Sequence, residues 1–338
     1  MQLPPLQVTR AVIQRYARLM HRYGADLGER PLVVPNAKFF PDAFQGDELS
    51  VSLLVSRMQE HAGLHDIPVE CRVVAPGSPQ QQQSSCSSGA CGVPMTSGGG
   101  LERLVDQGES WLLQVPESEL KHSVALTTNL ARSLAFIFLV ETQKEGELLE
   151  PPVDITADLI AVALGFGPLM LQGSYIYAKS CGGPQIASVT KIPVAELSIA
   201  VGLFAALGDH KLGPALKELD VTQRAGLAES SRLMAANRDV VTAIKNSPDS
   251  MSRTEFPLNE GGSFITGLLS KFKKKPRTDA PLDALSAHMD LDDLESLLID
   301  MPPSSRAGRT SQIPEAPDPE KDEIKNLVTD ALKEVRAQ

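Results

Sequence analysis

Positive charge is what this sequence is short of: 42 acidic side chains against 32 basic ones leave a formal net charge of −10 over 338 residues. Counterion release from nucleic-acid phosphates needs a basic face that this composition does not supply. That argues against a general nucleic-acid binder and makes proteins or small molecules the expected partners. Cysteine is scarce as well. Cys71, Cys86, Cys91 and Cys181 are too few to staple a chain of this length, so no disulfide framework is expected. No unbroken apolar stretch opens the chain, because Arg10, Arg15, Arg18, Arg22 and Asp26 interrupt Met1 to Leu32. No export signal is read there, and a cytoplasmic location is expected. The most apolar region, Leu159 to Leu171, is too short for a bilayer and is broken by Gly165, Gly167 and Pro168, so no transmembrane segment is predicted. Phosphate-loop and esterase signatures are missing too: Gly98-Gly99-Gly100 lacks a following Lys-Ser/Thr, and there is no Gly-x-Ser-x-Gly elbow.

What is present is enough apolar sequence for a sizeable core, 42% of the residues. Val12, Ile13, Tyr16, Leu19, Met20 and Tyr23 recur at three- and four-residue steps opposite a face of arginines, which predicts an amphipathic helix ended by Gly24. Leu32–Val34 between two prolines reads as a strand, Leu49 to Ala62 as a helix, and Val69–Val74 and Trp111–Val115 as further strands. Helical patterns then dominate, over Glu119 to Thr142, Asp154 to Ala178, Pro193 to Leu207 and Thr222 to Ala236. The expected fold class is α+β, mainly α, with a helical core beside a small sheet.

The predicted folded domain covers residues 1–245, interrupted by a Ser/Gln/Gly-rich loop at 75–100 with too little apolar surface to fold alone. Residues 246–338 read as a largely disordered tail. Thr278 to Ser304 hold no Lys or Arg but carry Asp279, Asp283, Asp290, Asp292, Asp293, Glu295 and Asp300. Inside that block Leu291, Leu294, Leu297, Leu298 and Met301 fall at helical spacing, as in a segment that folds in the groove of a protein partner. A second short amphipathic helix is predicted over Pro319 to Val335, after Asp318 at the N-cap.

The helix Leu126-Thr127-Thr128-Asn129-Leu130-Ala131-Arg132-Ser133-Leu134 and the later Asp158-Leu159 running to Gly165 and Gly167 carry a family resemblance. Together with Ser180-Cys181-Gly182-Gly183-Pro184 and the stretch from Glu196-Leu197 to Leu203-Phe204-Ala205, they resemble uncharacterised bacterial zincin-like proteins, over roughly residues 30–235. In that family the first helix carries His-Glu-x-x-His and the second an acidic residue in an Asp-Leu-x-x-Val-x-x-Gly-x-Gly setting. Two histidines four apart share one helix face and bind zinc, while the glutamate between them activates the water. The resemblance puts those three positions on Thr128, Asn129 and Arg132, with Asp158 as the acidic residue. Arginine is a permanent cation that repels a divalent metal, and an amide cannot take the water's proton. The resemblance therefore implies a metal-free pseudoenzyme without catalytic residues or cofactor; that a pocket retained there binds an anion through Arg132 is a separate hypothesis. Read without any family, the three residues are polar positions on an amphipathic helix, with Arg132 paired to Asp154 or Asp158.

Other clusters offer less. Cys86 and Cys91 stand five apart in one loop, the wrong spacing and half the ligands for structural zinc, and inert reduced thiols are the simpler reading. His61 and His65 have metal-like spacing, but Gly63 between them suggests that the helix ends there. Lys271 to Arg277, beside Phe264, Ile265, Leu268, Leu269 and Phe272, is either contact with an anionic membrane surface or a nucleic-acid backbone or, more simply, a solvated linker. The reading is a non-catalytic interaction or regulatory protein, with a metal-dependent hydrolase using other ligands, either His122, Asp154 and Asp158 or His61 and His65, as the alternative.

Overall fold

The computed structural model describes residues 1–24, 27, 29–75, 100–143, 151–180 and 183–259. The chain opens on α1 (Leu6–Tyr23), which buries Val12, Ile13, Tyr16, Leu19 and Met20 as their spacing requires. Gly24, at φ +96°, turns the chain out of the helix while its N–H closes the last turn on the Met20 carbonyl. α2 (Glu48–Ala62) starts on a reciprocal cap: the Ser50 N–H donates to the Asp47 carboxylate at 2.8 Å and the Asp47 N–H to the Ser50 hydroxyl at 3.1 Å. Gly63, in the left-handed conformation, ends it.

Leu32–Val34 is buried, but it is not a strand. Its neighbour is a kink in a helix, where the Val33 N–H donates to the Gly165 carbonyl at 2.9 Å; this gives the segment one partner bond instead of a ladder. The three-stranded sheet is built from β1 (Val69–Val74), β2 (Leu104–Asp106) and β3 (Trp111–Pro116) in the order β1-β3-β2. β1 runs parallel to β3 with Cys71 opposite Leu113, and β2 runs antiparallel to β3 with Leu104 opposite Leu113. A short 3-10 turn, Glu117–Lys121, links β3 to α3 (Ser123–Glu141), and the Trp111 indole N–H donates to Glu141 at 2.6 Å, tying the sheet to the far end of that helix.

The core is α3 against α4 (Val153–Ala161), α5 (Gly167–Ser174) and α6 (Val194–Leu207), all four buried along most of their length. A helix that is apolar all round belongs in such an interior. The helix predicted from Asp154 to Ala178 is interrupted. It widens to π geometry over Val162–Phe166, where Gly165 sits at φ +96°, and it ends at Ser174. Ile176–Ser180 instead forms β4, paired antiparallel with β5 (Gly183–Ala187), so that Tyr177 faces Ile186 across the hairpin. Tyr177 and Ile186 are both exposed, and β-branched and aromatic pairs of this kind favour strand over helix.

After α6 come α7 (Gly213–Glu218), α8 (Val221–Ala236), α9 (Arg238–Asn246) and α10 (Pro248–Arg253). Packing continues past residue 245: α10 lies on α1, Phe256 and Leu258 are buried, and Arg10 and Gln14 donate to the carbonyls of Phe256 and Thr254. Two stretches, Ser123–Glu141 and Val153–Ser174, are long and apolar enough to cross a membrane by length and composition, and most of each is buried inside the protein. The Cys86 and Cys91 pair, Cys181, the 271–277 basic run and the segments 290–301 and 319–335, with Leu291, Leu294, Leu297, Leu298 and Met301, lie outside the described residues.

Candidate functional site

Four polar residues of α3, Thr128, Asn129, Arg132 and Ser133, lie together as a buried stripe. They are not surface positions, as an amphipathic helix would have made them. Arg132 is 1% exposed and Asp158, reaching across from α4, 0%. A buried charge in such surroundings must be paired and hydrogen-bonded, and this one is. The Arg132 Nε donates to Asp158 Oδ1 at 2.6 Å, and its NH2 group donates to Asp154 Oδ1 at 3.0 Å. Both acids proposed from the sequence as its partners are engaged.

The second oxygen of Asp158 is also used. It accepts the backbone N–H groups of Lys191, at 2.6 Å, and Ile192, at 3.0 Å, in the segment that leads into α6. Burial pushes the Asp158 carboxyl above the usual carboxylate range, against the pull of the Arg132 guanidinium and these two N–H groups. The ion pair thus fastens three pieces of chain together: α3, α4 and the 191–192 backbone.

A second buried network starts three residues before Arg132 on the same helix. Asn129 donates from Nδ2 to both oxygens of Glu119, each at 3.3 Å, and Glu119 receives the Arg103 guanidinium in a two-pronged pair whose longer arm is 2.6 Å. Nothing in the spacing of Arg103, Glu119 and Asn129 announces this pairing. The only signal is the type of residue: an acid and a base flanking the sheet, next to a helix with an amide on its buried side.

The Thr128 hydroxyl has the carbonyl of Val124 in its own helix 2.8 Å away and that of Leu169 in α5 2.9 Å away. Its side chain rests on Gly173 of α5, where an added Cβ would come within 2.2 Å of Thr128 Oγ1. Gly173→Ala is therefore expected to lose about 1–3 kcal/mol of stability through overpacking. In a Thr128→Ala background the same substitution is expected to lose much less. Urea unfolding of the four proteins measures this; equal losses in both backgrounds would show that the contact does not limit the packing.

The remaining sequence candidates do not come together. Among the described residues, no group of three or more His, Cys, Asp or Glu side chains is placed to hold a metal ion. His61 bonds the Phe39 carbonyl through Nε2 at 2.9 Å between the edges of Phe39 and Phe40, and His65 lies beyond the Gly63 turn. His122 stands at the start of α3 and Asp154 is committed to Arg132. Burial pushes the Cys71 thiol, on β1, up to about 11, which leaves it protonated at neutral pH. An anion has no route to Arg132, because the guanidinium is enclosed and already holds two carboxylates.

No protein-family model matches the chain, and no curated protein or solved structure is significantly similar to it. The zincin-like resemblance stands on the residues quoted for it alone.

Proposed function

We propose that this protein is a non-catalytic interaction or regulatory protein, built on a zincin-like set of helices whose metal-binding positions have been given over to structure. The observation that carries this reading is Arg132. At the place the resemblance gives to the second zinc histidine stands a guanidinium that is fully buried and held by Asp158 and Asp154. Asn129, at the place of the general base, is likewise spent on Glu119. A fixed cation and an amide in these positions supply neither a metal ligand nor a proton acceptor. Partner contact is assigned to the tail, where Leu291, Leu294, Leu297, Leu298 and Met301 give an acidic segment one apolar helical face.

The test is elemental analysis of the full-length protein, purified without chelator or metal-affinity resin, next to Asp158→Ala and Cys86→Ser/Cys91→Ser proteins. The expected result is far less than one equivalent of any transition metal in all three. A stoichiometric metal lost in Asp158→Ala would overturn the reading in favour of a metal-dependent hydrolase, and one lost in the double cysteine variant would establish a metal centre in the loop. The interaction half is read by quantitative co-purification from the native host with wild type and Leu294→Asp/Leu298→Asp. Partners recovered only by wild type are expected; identical sets would remove the tail from the proposal.

A further inference from the structure

The excess of acid in this chain is reversed on one helix. α1 holds Arg10, Arg15, Arg18, His21 and Arg22 and no Asp or Glu. Beside it runs a groove of about 310 Å³, bounded by α1, α4 and the 191–196 segment. Val8, Val12, Ile155, Leu159, Ile192 and Pro193 give it an apolar floor. Arg15, Arg18 and Lys191 stand around that floor, the last two with further polar or charged contacts of their own, and Glu196 is the one acid among the described residues of the lining.

The shape selects among ligands. The α1 side of the groove is made by Val8, Ala11, Val12, Arg15 and Arg18, spaced three and four apart. At 1.5 Å per residue that wall is about 15 Å long, close to three turns of a facing helix. Its far wall is fixed, because the backbone N–H groups of Lys191 and Ile192 are held by the buried Asp158 carboxylate.

We propose that this groove binds an acidic amphipathic helix of a partner protein. Apolar side chains at i, i+3 or i+4, and i+7 would lie on the floor between Val8 and Leu159, while carboxylates on the flanks meet Arg15, Arg18 and Lys191. Glu196 disfavours acid at its own end of the groove, so the ligand's carboxylates belong on the α1 side. The buried pair of Arg132 and Asp158 then has a role at one remove, as the fastening that keeps the 191–192 wall in place. This inference rests on the interaction reading only in requiring a protein partner, and it does not depend on the metal content of the protein.

The experiment uses the full-length protein and two fluorescein-labelled designed peptides, each a three-turn amphipathic helix with leucines on one face and either glutamates or lysines on the other. Fluorescence anisotropy is expected to show saturable binding of the glutamate peptide that weakens with added salt, and binding of the lysine peptide weaker by about tenfold or more. Arg15→Glu/Arg18→Glu, both at exposed positions, should reverse that preference. Ala11→Trp, also exposed, should block the groove to either peptide while the circular-dichroism melt stays at the wild-type temperature. Equal affinity for the two peptides, no binding of the glutamate peptide, or an Ala11→Trp protein that binds like wild type would overturn the proposal. So would sedimentation with phosphatidylserine vesicles that is lost on Arg15→Glu/Arg18→Glu while neither peptide binds, which would make the cationic face a membrane surface.

Discussion

Arg132→Gln is expected to destabilise the fold by about 3–5 kcal/mol, the usual cost of removing one partner from a buried ion pair. The substitution leaves Asp158 with two backbone N–H donors and no counter-charge, at 0% exposure. Asp154 is little affected, since its side chain is 42% exposed and water replaces the guanidinium. The double variant Arg132→Gln/Asp158→Asn is expected to recover most of the loss. The asparagine introduced on α4 keeps an oxygen for the Lys191 and Ile192 N–H groups and turns its Nδ2 toward the carbonyl oxygen of the glutamine introduced on α3, so a charged pair becomes a neutral one of similar shape. Equilibrium unfolding in urea across the double-mutant cycle gives the coupling directly. Losses that simply add, or an Arg132→Gln loss under about 1 kcal/mol, would show that the pair is not the fastening described.

The same variant carries a pH signature whose sign follows from linkage. Without Arg132, burial acts unopposed by a counter-charge and raises the folded-state pKa of Asp158 still further above its unfolded value. The folded variant then binds a proton that the unfolded chain does not, so its stability falls as pH rises between the unfolded value and the raised folded one. The deficit of Arg132→Gln relative to wild type is therefore expected to be largest near neutral pH and to shrink as the solution is acidified through the raised value. Arg132→Gln/Asp158→Asn, with nothing to titrate, should show no such relief.

How far the sequence could be read depends on whether a feature is local. The face of α1 was legible because Val12, Ile13, Tyr16, Leu19 and Met20 repeat with the helical period, and Gly63 as the end of α2 because a glycine there has one obvious use. The link from Arg132 to Asp154 and Asp158 was also within reach, since both acids stand in the first turns of the next predicted helix and an arginine pairs with such neighbours, but the burial of the pair was not. Leu32–Val34 misled because an apolar run between prolines looks the same whether it pairs with a strand or lies over a kinked helix; only the Gly165 carbonyl decides. The hairpin at Ile176–Ala187 was hidden behind an apolar run that continues a helical pattern past Ser174. The Arg103, Glu119 and Asn129 network was not legible at all, because its members belong to three different elements and have no common period.

Gly165 shows what a purely sequential reading of a glycine misses. Its spacing with Gly167 and Gly173 suggests close helix packing, and Gly167 and Gly173 do lie against Val201 and Thr128. Gly165 does something else: at φ +96° it breaks the helix so that its own carbonyl can receive the Val33 N–H, with the Pro31 carbonyl oxygen 2.1 Å from where a Cβ would stand. Gly165→Ala therefore combines a conformational cost of about 1–2 kcal/mol with a collision against backbone that cannot move without breaking the Val33 bond. A total loss of about 3 kcal/mol or more is expected. Gly46→Ala is the matched control, since Gly46 is at φ +76° with nothing within 4 Å of the added carbon, and it should show the conformational cost alone. The comparison is made by urea unfolding of both variants. Equal losses would mean that the 31–34 segment yields to the new methyl, and that the crossing of this segment over the helix kink does not hold the two together.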